Sequence, residues 1–394
     1  MSEISLLKSV PTTIAKGLLK MLMVFVCLAA LFGIFVYFYL KQPQFVQLSE
    51  NISFSQAARS SEYEDGTFQN QIPTPVLTRT VDKSQVASLF EFLFNKDENA
   101  VPAVALPSMK TDLLHLDRSE NTIVWMGHSS YFLQIDGVRF LIDPVFSQNA
   151  SPVPATNVAF KGSNIYKAED IPEIDYLLIS HDHWDHLDYP TVMSLKDKIG
   201  QIVTPLGVGN YFRQWGFNPT IIHEGDWNSL VHGDNGLEIH ILPARHFSGR
   251  LLTRNKTLWG SFALITPHHR IYLGGDSGYG PHYRVIGQHY GPFDLAILEC
   301  GQYNQDWRYI HMTPEETAQA AADLNAKALL PAHNSKFKLA HHAWFDPLDR
   351  VTQASEGKSY RLLTPMIGEK IKPDDKQQKF KAWWKPLEPQ VAGL

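Results

Sequence analysis

Six consecutive residues, His181-Asp182-His183-Trp184-Asp185-His186, put three imidazoles and two carboxylates directly after the apolar run Tyr176-Leu177-Leu178-Ile179-Ser180. Imidazole and carboxylate donors together suit zinc or a similar divalent ion. In an extended chain alternate side chains point the same way, so His181 and His183 can share one ion at the end of a buried strand. Asp185 and His186 then belong to the turn that follows, where they can face a second ion. Neighbouring histidines arise by chance on surfaces, but five donors at a strand end are a denser signal than a lone pair. Three further positions repeat the pattern. His246 follows Glu238 to Leu242, and His333 follows Leu329-Leu330-Pro331-Ala332. Asp276 follows Ile271-Tyr272-Leu273-Gly274-Gly275, whose glycines let the backbone turn sharply and present the carboxylate.

Strands must position these side chains, and short apolar segments separated by glycine and aspartate supply them. The pattern predicts strands over Thr122 to Trp125, Tyr131 to Ile135 and Val138 to Ile142, the last two joined by the hairpin signal Asp136-Gly137. It predicts others over Tyr176 to Ile179, Ile202 to Thr204, Glu238 to Leu242, Ser261 to Thr266, Arg270 to Leu273, Leu295 to Leu298 and Ala328 to Leu330. A helix is expected after Thr313-Pro314-Glu315-Glu316, which carries an N-cap threonine, a first-turn proline and a capping-box glutamate. Strands interspersed with helices favour a layered α/β or α+β domain over a bundle or a pure β sandwich.

The remaining histidines read as structural. His128 lies in a Gly-His-Ser turn and His268-His269 in a loop, while the spacing of His341-His342 decides nothing between surface and pocket. Trp184 either lines an entrance or fills a gap beside the donors. Asp143 either orients a ligand histidine from behind or caps its turn.

Several separate blocks carry a resemblance to a known family: Trp125-Met126-Gly127-His128-Ser129, Leu141-Ile142-Asp143-Pro144-Val145-Phe146-Ser147, the His-x-His-x-Asp-His motif continued through Leu187-Asp188-Tyr189, Leu258-Trp259-Gly260-Ser261, Gly274-Gly275-Asp276-Ser277-Gly278-Tyr279 and Gly291-Pro292-Phe293-Asp294-Leu295. Over roughly Thr122 to Phe337 the chain resembles the metallo-β-lactamase superfamily, and within it the N-acylphosphatidylethanolamine-hydrolysing phospholipases D and their bacterial relatives. The resemblance implies an α+β fold, a four-layer αββα sandwich with two zinc ions at one edge of its sheets. It implies that His181, His183 and His246 hold one ion, Asp185, His186 and His333 the other, and that Asp276 bridges them. Such a pair can share a hydroxide as nucleophile and neutralise a phosphate. It further implies that Asp185 and Asp276 serve catalysis and that His311, in Tyr309-Ile310-His311-Met312, acts as acid or phosphate-positioning group. The expected substrate is a phospholipid, N-acylphosphatidylethanolamine, cleaved to N-acylethanolamine and phosphatidic acid. Related lipases can be dimeric, so a homodimer is open. The alternatives are a lactonase or other ester hydrolase of the same superfamily, or a scaffold that keeps metal for stability. Retention of all seven donors argues against the scaffold.

The chain has 394 residues and a formal net charge of -5, without the basic track that nucleic acid would require. Met21 to Leu40 is uncharged, apolar and long enough to cross a bilayer. It lacks the small-residue cleavage site of a signal peptide, so an uncleaved anchor is expected. Lys8, Lys16 and Lys20 precede it, and only Lys41 follows closely. That balance places the N-terminus in the cytoplasm and the main domain across the membrane, periplasmic in a bacterium. Cys27 in the anchor and Cys300 after a buried strand are not expected to pair. The expected organisation is a short N-terminus over 1–20, the anchor over 21–40, a membrane-proximal linker over 41–110 with a short amphipathic helix near Ser84 to Phe94, the hydrolase domain over 111–370 and a tail over 371–394.

Overall fold

The computed structural model describes residues 12–46, 60–78 and 99–387, and contacts divide the chain into two units, Met1–Val46 and Gln47–Leu394. The first unit is helix α1, Thr12–Tyr39, followed by a 3₁₀ turn at Pro43–Phe45. Its stretch Lys16–Tyr39 has a mean hydropathy of 2.7 and buries no part of itself, so α1 is long and apolar enough to span a bilayer. The helix expected near Ser84 to Phe94 lies outside the described residues.

Period-two alternation builds the second unit. Strands β3 (Thr122–Trp125), β4 (Tyr131–Ile135), β5 (Val138–Ile142), β6 (Ile174–Leu178), β7 (Ile199–Pro205), β8 (Ile222–Gly225) and the late β16 (Lys370–Ile371) form one sheet in the order β16-β3-β4-β5-β6-β7-β8. Strands β9 (Ser229–His232), β10 (Glu238–Leu242), β11 (Ser261–Ile265), β12 (Arg270–Leu273), β13 (Leu295–Glu299), β14 (Ala328–Ala332) and β15 (Arg361–Leu362) form the other, in the order β15-β14-β13-β12-β11-β10-β9. An N-terminal hairpin, β1 (Tyr63–Glu64) and β2 (Thr67–Phe68), pairs by itself.

The two sheets pack face to face. Ile123, Leu133, Phe140, Leu178 and Val203 of the first meet Ile239, Ile241, Phe262, Leu264, Ile271, Leu273, Ile297 and Leu330 of the second in one core. The intervening residues Tyr272, Ala296, Leu298 and Leu329 point to the other face of the second sheet. There they meet α4 (His282–Tyr290), α5 (Pro314–Asp323) and α6 (Asp346–Ala354). Short helices α2 (Tyr189–Ser194) and α3 (Gly209–Gln214) belong to the first half, where α3 lies against β7 and β8. The result is the α+β sandwich expected, with an outer helical layer on each side. Asp136 (φ 48°) and Gly137 (φ 79°) make the tight turn between β4 and β5 that their sequence predicts. The folded unit continues past residue 370: β16 pairs with β3, and Trp383 and Trp384 are buried in the core between the sheets.

Candidate metal centre

Seven donors leave the carboxyl ends of strands from both sheets. The His181–His186 loop follows β6, His246 follows β10, Asp276 follows β12 and His333 follows β14. The fold brings them together. One group contains His181, His183, His246 and Asp276; a second contains Asp185, His186 and His333 with His128; within each, the donor atoms all lie within 4.8 Å of one another. Asp276 lies between the two groups, its Oδ2 3.1 Å from His186 Nε2 and 3.8 Å from His246 Nε2, its Oδ1 3.2 Å from His333 Nδ1.

The geometry fits a cation. His183 Nδ1 faces His181 Nε2 at 2.8 Å and His246 Nε2 at 3.3 Å, which converges ring nitrogens on one point. His186 Nε2 and Asp276 Oδ1 are buried and, although each lies within 3.2 Å of a neighbouring polar atom, neither makes a hydrogen bond of good geometry, a costly arrangement in a dry interior without a further partner. Burial pushes the imidazoles of His181, His246 and His333 well below the usual range, and that of His183 to about 4, so all four are neutral and able to ligate. Burial also opposes charge on His186, but Asp276, Asp185 and Asp143 around it more than reverse this. Burial would likewise raise the Asp276 and Asp185 carboxyls, yet His186 and the neighbouring imidazoles hold both well below the carboxylate range.

A supporting layer fixes the rings. Asp143 accepts His186 Nδ1–H at 2.8 Å, Ser180 N–H at 2.8 Å and Ser180 Oγ–H at 2.6 Å, leaving His186 Nε2 to face the site. Asp143 thus both orients a candidate ligand histidine and caps the turn at Ser180. His246 Nδ1 sits 2.9 Å from the Ile310 carbonyl. Buried Arg250 donates to the carbonyls of Asp182 and Leu187 and stacks on Tyr211 and Trp184, tying the motif's main chain in place. Trp184 is thereby half-buried against Arg250 beside the donors.

The structure places His128 beside the candidate donors. Positive φ at Gly127 (84°) and His128 (54°) turns the imidazole inward, where Nε2 lies 2.9 Å from Asp185 Oδ2. A side chain at residue 127 would press on Ile367 and Lys336 at 3.1 and 3.2 Å, so glycine is needed to let the turn approach. His269 remains structural, held between Asp136 and Asp374, and His342 accepts the Gln302 N–H at 2.8 Å while stacking on Tyr303.

His311 reaches the same centre. Its ring lies 5.2 Å from that of His333, and its Nδ1 is 2.6 Å from Glu299 Oε2. Burial opposes its charge, but the Glu299 carboxylate raises its pKa. Glu299 is itself pushed up to about 7 by burial, with His311 pulling the other way. Its second oxygen accepts the Met312 N–H at 2.6 Å. Sequence reasoning missed Glu299, although a lone acid ending the apolar strand Leu295–Glu299 is the signal that marked Asp276. It also missed Asn70.

A cavity of about 690 Å³ opens onto these groups. His183, Asp185, His246, Asp276, His311 and His333 form its floor, while Val76, Leu77, Phe247, Trp307, Ile310 and Leu339 give it apolar walls.

A family model described as a beta-lactamase superfamily domain matches residues 138–334. The chain is 37% identical over 331 residues to an uncharacterized protein of Mycobacterium tuberculosis, covering 83% of this chain and 88% of that one. It is 29% identical over 252 residues to the N-acyl-phosphatidylethanolamine-hydrolyzing phospholipase D 1 of Caenorhabditis elegans, covering 59% of this chain and 69% of the relative. Among solved structures, a metallo hydrolase from Ignicoccus hospitalis superposes with a TM-score of 0.50 at 20% identity, over 64% of this chain and 97% of its own.

Proposed function

We propose that this chain, which belongs to the metallo-β-lactamase superfamily and is a metal-dependent hydrolase, is a zinc-dependent, membrane-anchored phosphodiesterase that cleaves N-acylphosphatidylethanolamine to N-acylethanolamine and phosphatidic acid. The observation that carries this reading is the apolar cavity ending on the clustered imidazoles and carboxylates: its walls suit an acyl chain and its floor a phosphate. The phospholipase D relative and the apolar helix α1 support it.

In this reading His181, His183 and His246 would hold one zinc, Asp185, His186 and His333 would hold a second, and Asp276 would serve both. When bound, the metal lowers the pKa of a water towards neutrality and offsets phosphate charge. The protein supplies the rest. Asp143 and the Ile310 carbonyl fix the tautomers of His186 and His246. Val76, Leu77 and Phe247 exclude water and align the chain. Water adds to phosphorus, the phosphorus–oxygen bond to the N-acylethanolamine breaks, and His311 gives the departing oxygen a proton from Nε2 while Glu299 holds Nδ1; one proton of the water stays on the phosphatidic acid and the other restores His311.

The test is hydrolysis of N-acylphosphatidylethanolamine, phosphatidylethanolamine and a simple lactone by the full chain in detergent micelles, with and without chelator, read by mass spectrometry. Chelator-sensitive release of N-acylethanolamine with phosphatidic acid is expected. Lactone opening with both phospholipids intact would overturn the reading.

A further inference from the structure

Residues Ser60–Thr78 precede the family match, yet they are stitched across the loops that carry the metal-competent side chains. Phe68 N donates to the Asn255 carbonyl at 2.8 Å, Lys256 Nζ to the Gly66 carbonyl at 2.9 Å, Arg245 Nε to Thr74 Oγ1 at 3.0 Å and Thr78 N to the Asp306 carbonyl at 2.7 Å. The β1–β2 hairpin moors this strap by burying Phe68 against Leu206, Trp227, Leu258 and Trp259. Between those fixed points Asn70 meets His246 with both ends of its amide. Nδ2 donates to the His246 carbonyl at 2.7 Å, and Oδ1 accepts the His246 N–H at 3.1 Å.

We propose that Asn70 is a positioning residue for His246, which makes the strap a working part of the metal centre; this rests on the ligand role given to His246 above. The two bonds fix the peptide planes on either side of the His246 Cα, while the Ile310 carbonyl fixes the ring. Rotating the ring about its own torsions breaks the bond to the Ile310 carbonyl, while carrying Nε2 away from His183 and Asp276 by moving the backbone breaks both hydrogen bonds to Asn70 and leaves a buried N–H and C=O unpaired, which is costly. A side chain that orients a ligand in this way commonly controls metal affinity about 10- to 100-fold.

The experiment is competition of the full chain in detergent against a chromophoric chelator for Zn²⁺, together with the visible spectrum of the Co²⁺-loaded protein. Asn70→Ala is expected to weaken zinc binding about 10- to 100-fold and to change the Co²⁺ band shape. Gln69→Ala, an exposed neighbour, is expected to do neither. Should Asn70→Ala not fold, Asn70→Asp keeps the acceptor, loses the donor, and is expected to weaken zinc binding about tenfold. Wild-type affinity and an unchanged Co²⁺ spectrum in a folded Asn70 variant, with His246→Ala impaired, overturn the proposal alone. Undiminished zinc binding by His246→Ala would instead overturn the ligand assignment beneath it.

Discussion

In the proposed reaction Glu299 and His311 divide the work of one proton. The carboxylate takes the Nδ1 side of the imidazole at 2.6 Å, which fixes the ring and leaves Nε2 for the cavity. Glutamine at 299 keeps an acceptor for Nδ1 but removes the charge that supports the imidazolium. Glu299→Gln is expected to lower kcat about 100-fold on a substrate whose leaving alcohol needs a proton, and far less on a nitrophenyl phosphodiester. Equal losses on both substrates would remove the proton-donor role from His311. The sequence shows which residues could ligate, because His-x-His-x-Asp-His and its echoes at His246, Asp276 and His333 are compact signals. It does not show that His128 turns inward, because that depends on two consecutive residues in the left-handed backbone region, which no local sequence pattern specifies. Asn70 is silent for another reason: its partner is 176 positions away and is a backbone group that carries no residue identity.

At the scale of elements, legibility follows burial. Strands β3, β4, β5, β10 and β12 occupy the spans their alternation predicts, since each has an apolar stripe facing the core and a turn signal at its end. The helix after Thr313 begins with the predicted capping box, Thr313 Oγ1 accepting Glu316 N–H and Glu316 Oε2 accepting Thr313 N–H. Strands β8, β9, β15 and β16 are short and lie at or beside sheet edges, so tertiary pairing rather than local pattern defines them. The strap is the least legible element of all. It has two-residue strands, and its value lies in what it covers. Leu77 is 54% exposed beside the cavity it lines. Replacing it with aspartate removes about 1 kcal/mol of chain contact, half or less of a fully buried leucine. Leu77→Asp is therefore expected to reduce kcat/KM for long-chain relative to short-chain substrates about fivefold, measured across an acyl-length series. A flat series would move the acyl wall elsewhere.

For the molecule as a whole, one buried charge sets a pH dependence. Lys336 is 1% exposed, its Nζ donating to the Val145 carbonyl at 2.7 Å, and burial pulls its pKa down to about 7. Between pH 7 and the ordinary lysine range the unfolded chain binds a proton that the folded chain releases, so this residue costs stability that is recovered as pH rises. Below pH 7 both states are protonated and the cost is constant. Lys336→Met, which keeps the apolar stem, is expected to be more stable than the parent at pH 7.5. The advantage should shrink by up to about 1.4 kcal/mol for each unit of pH above that, read from urea midpoints at pH 7.5, 8.5 and 9.5. A constant difference across that range would show that Lys336 is charged in the fold.

The metal-competent side chains come from both sheets, with His181, His183 and His186 after β6 on one side and His246, Asp276 and His333 after β10, β12 and β14 on the other. The apolar core holds the two sheets together like the spine of a book, and an ion held between these side chains would act as its clasp. In the proposed function, chemistry and closure would then share one set of bonds, and removing the metal would also unfasten the two leaves at this edge.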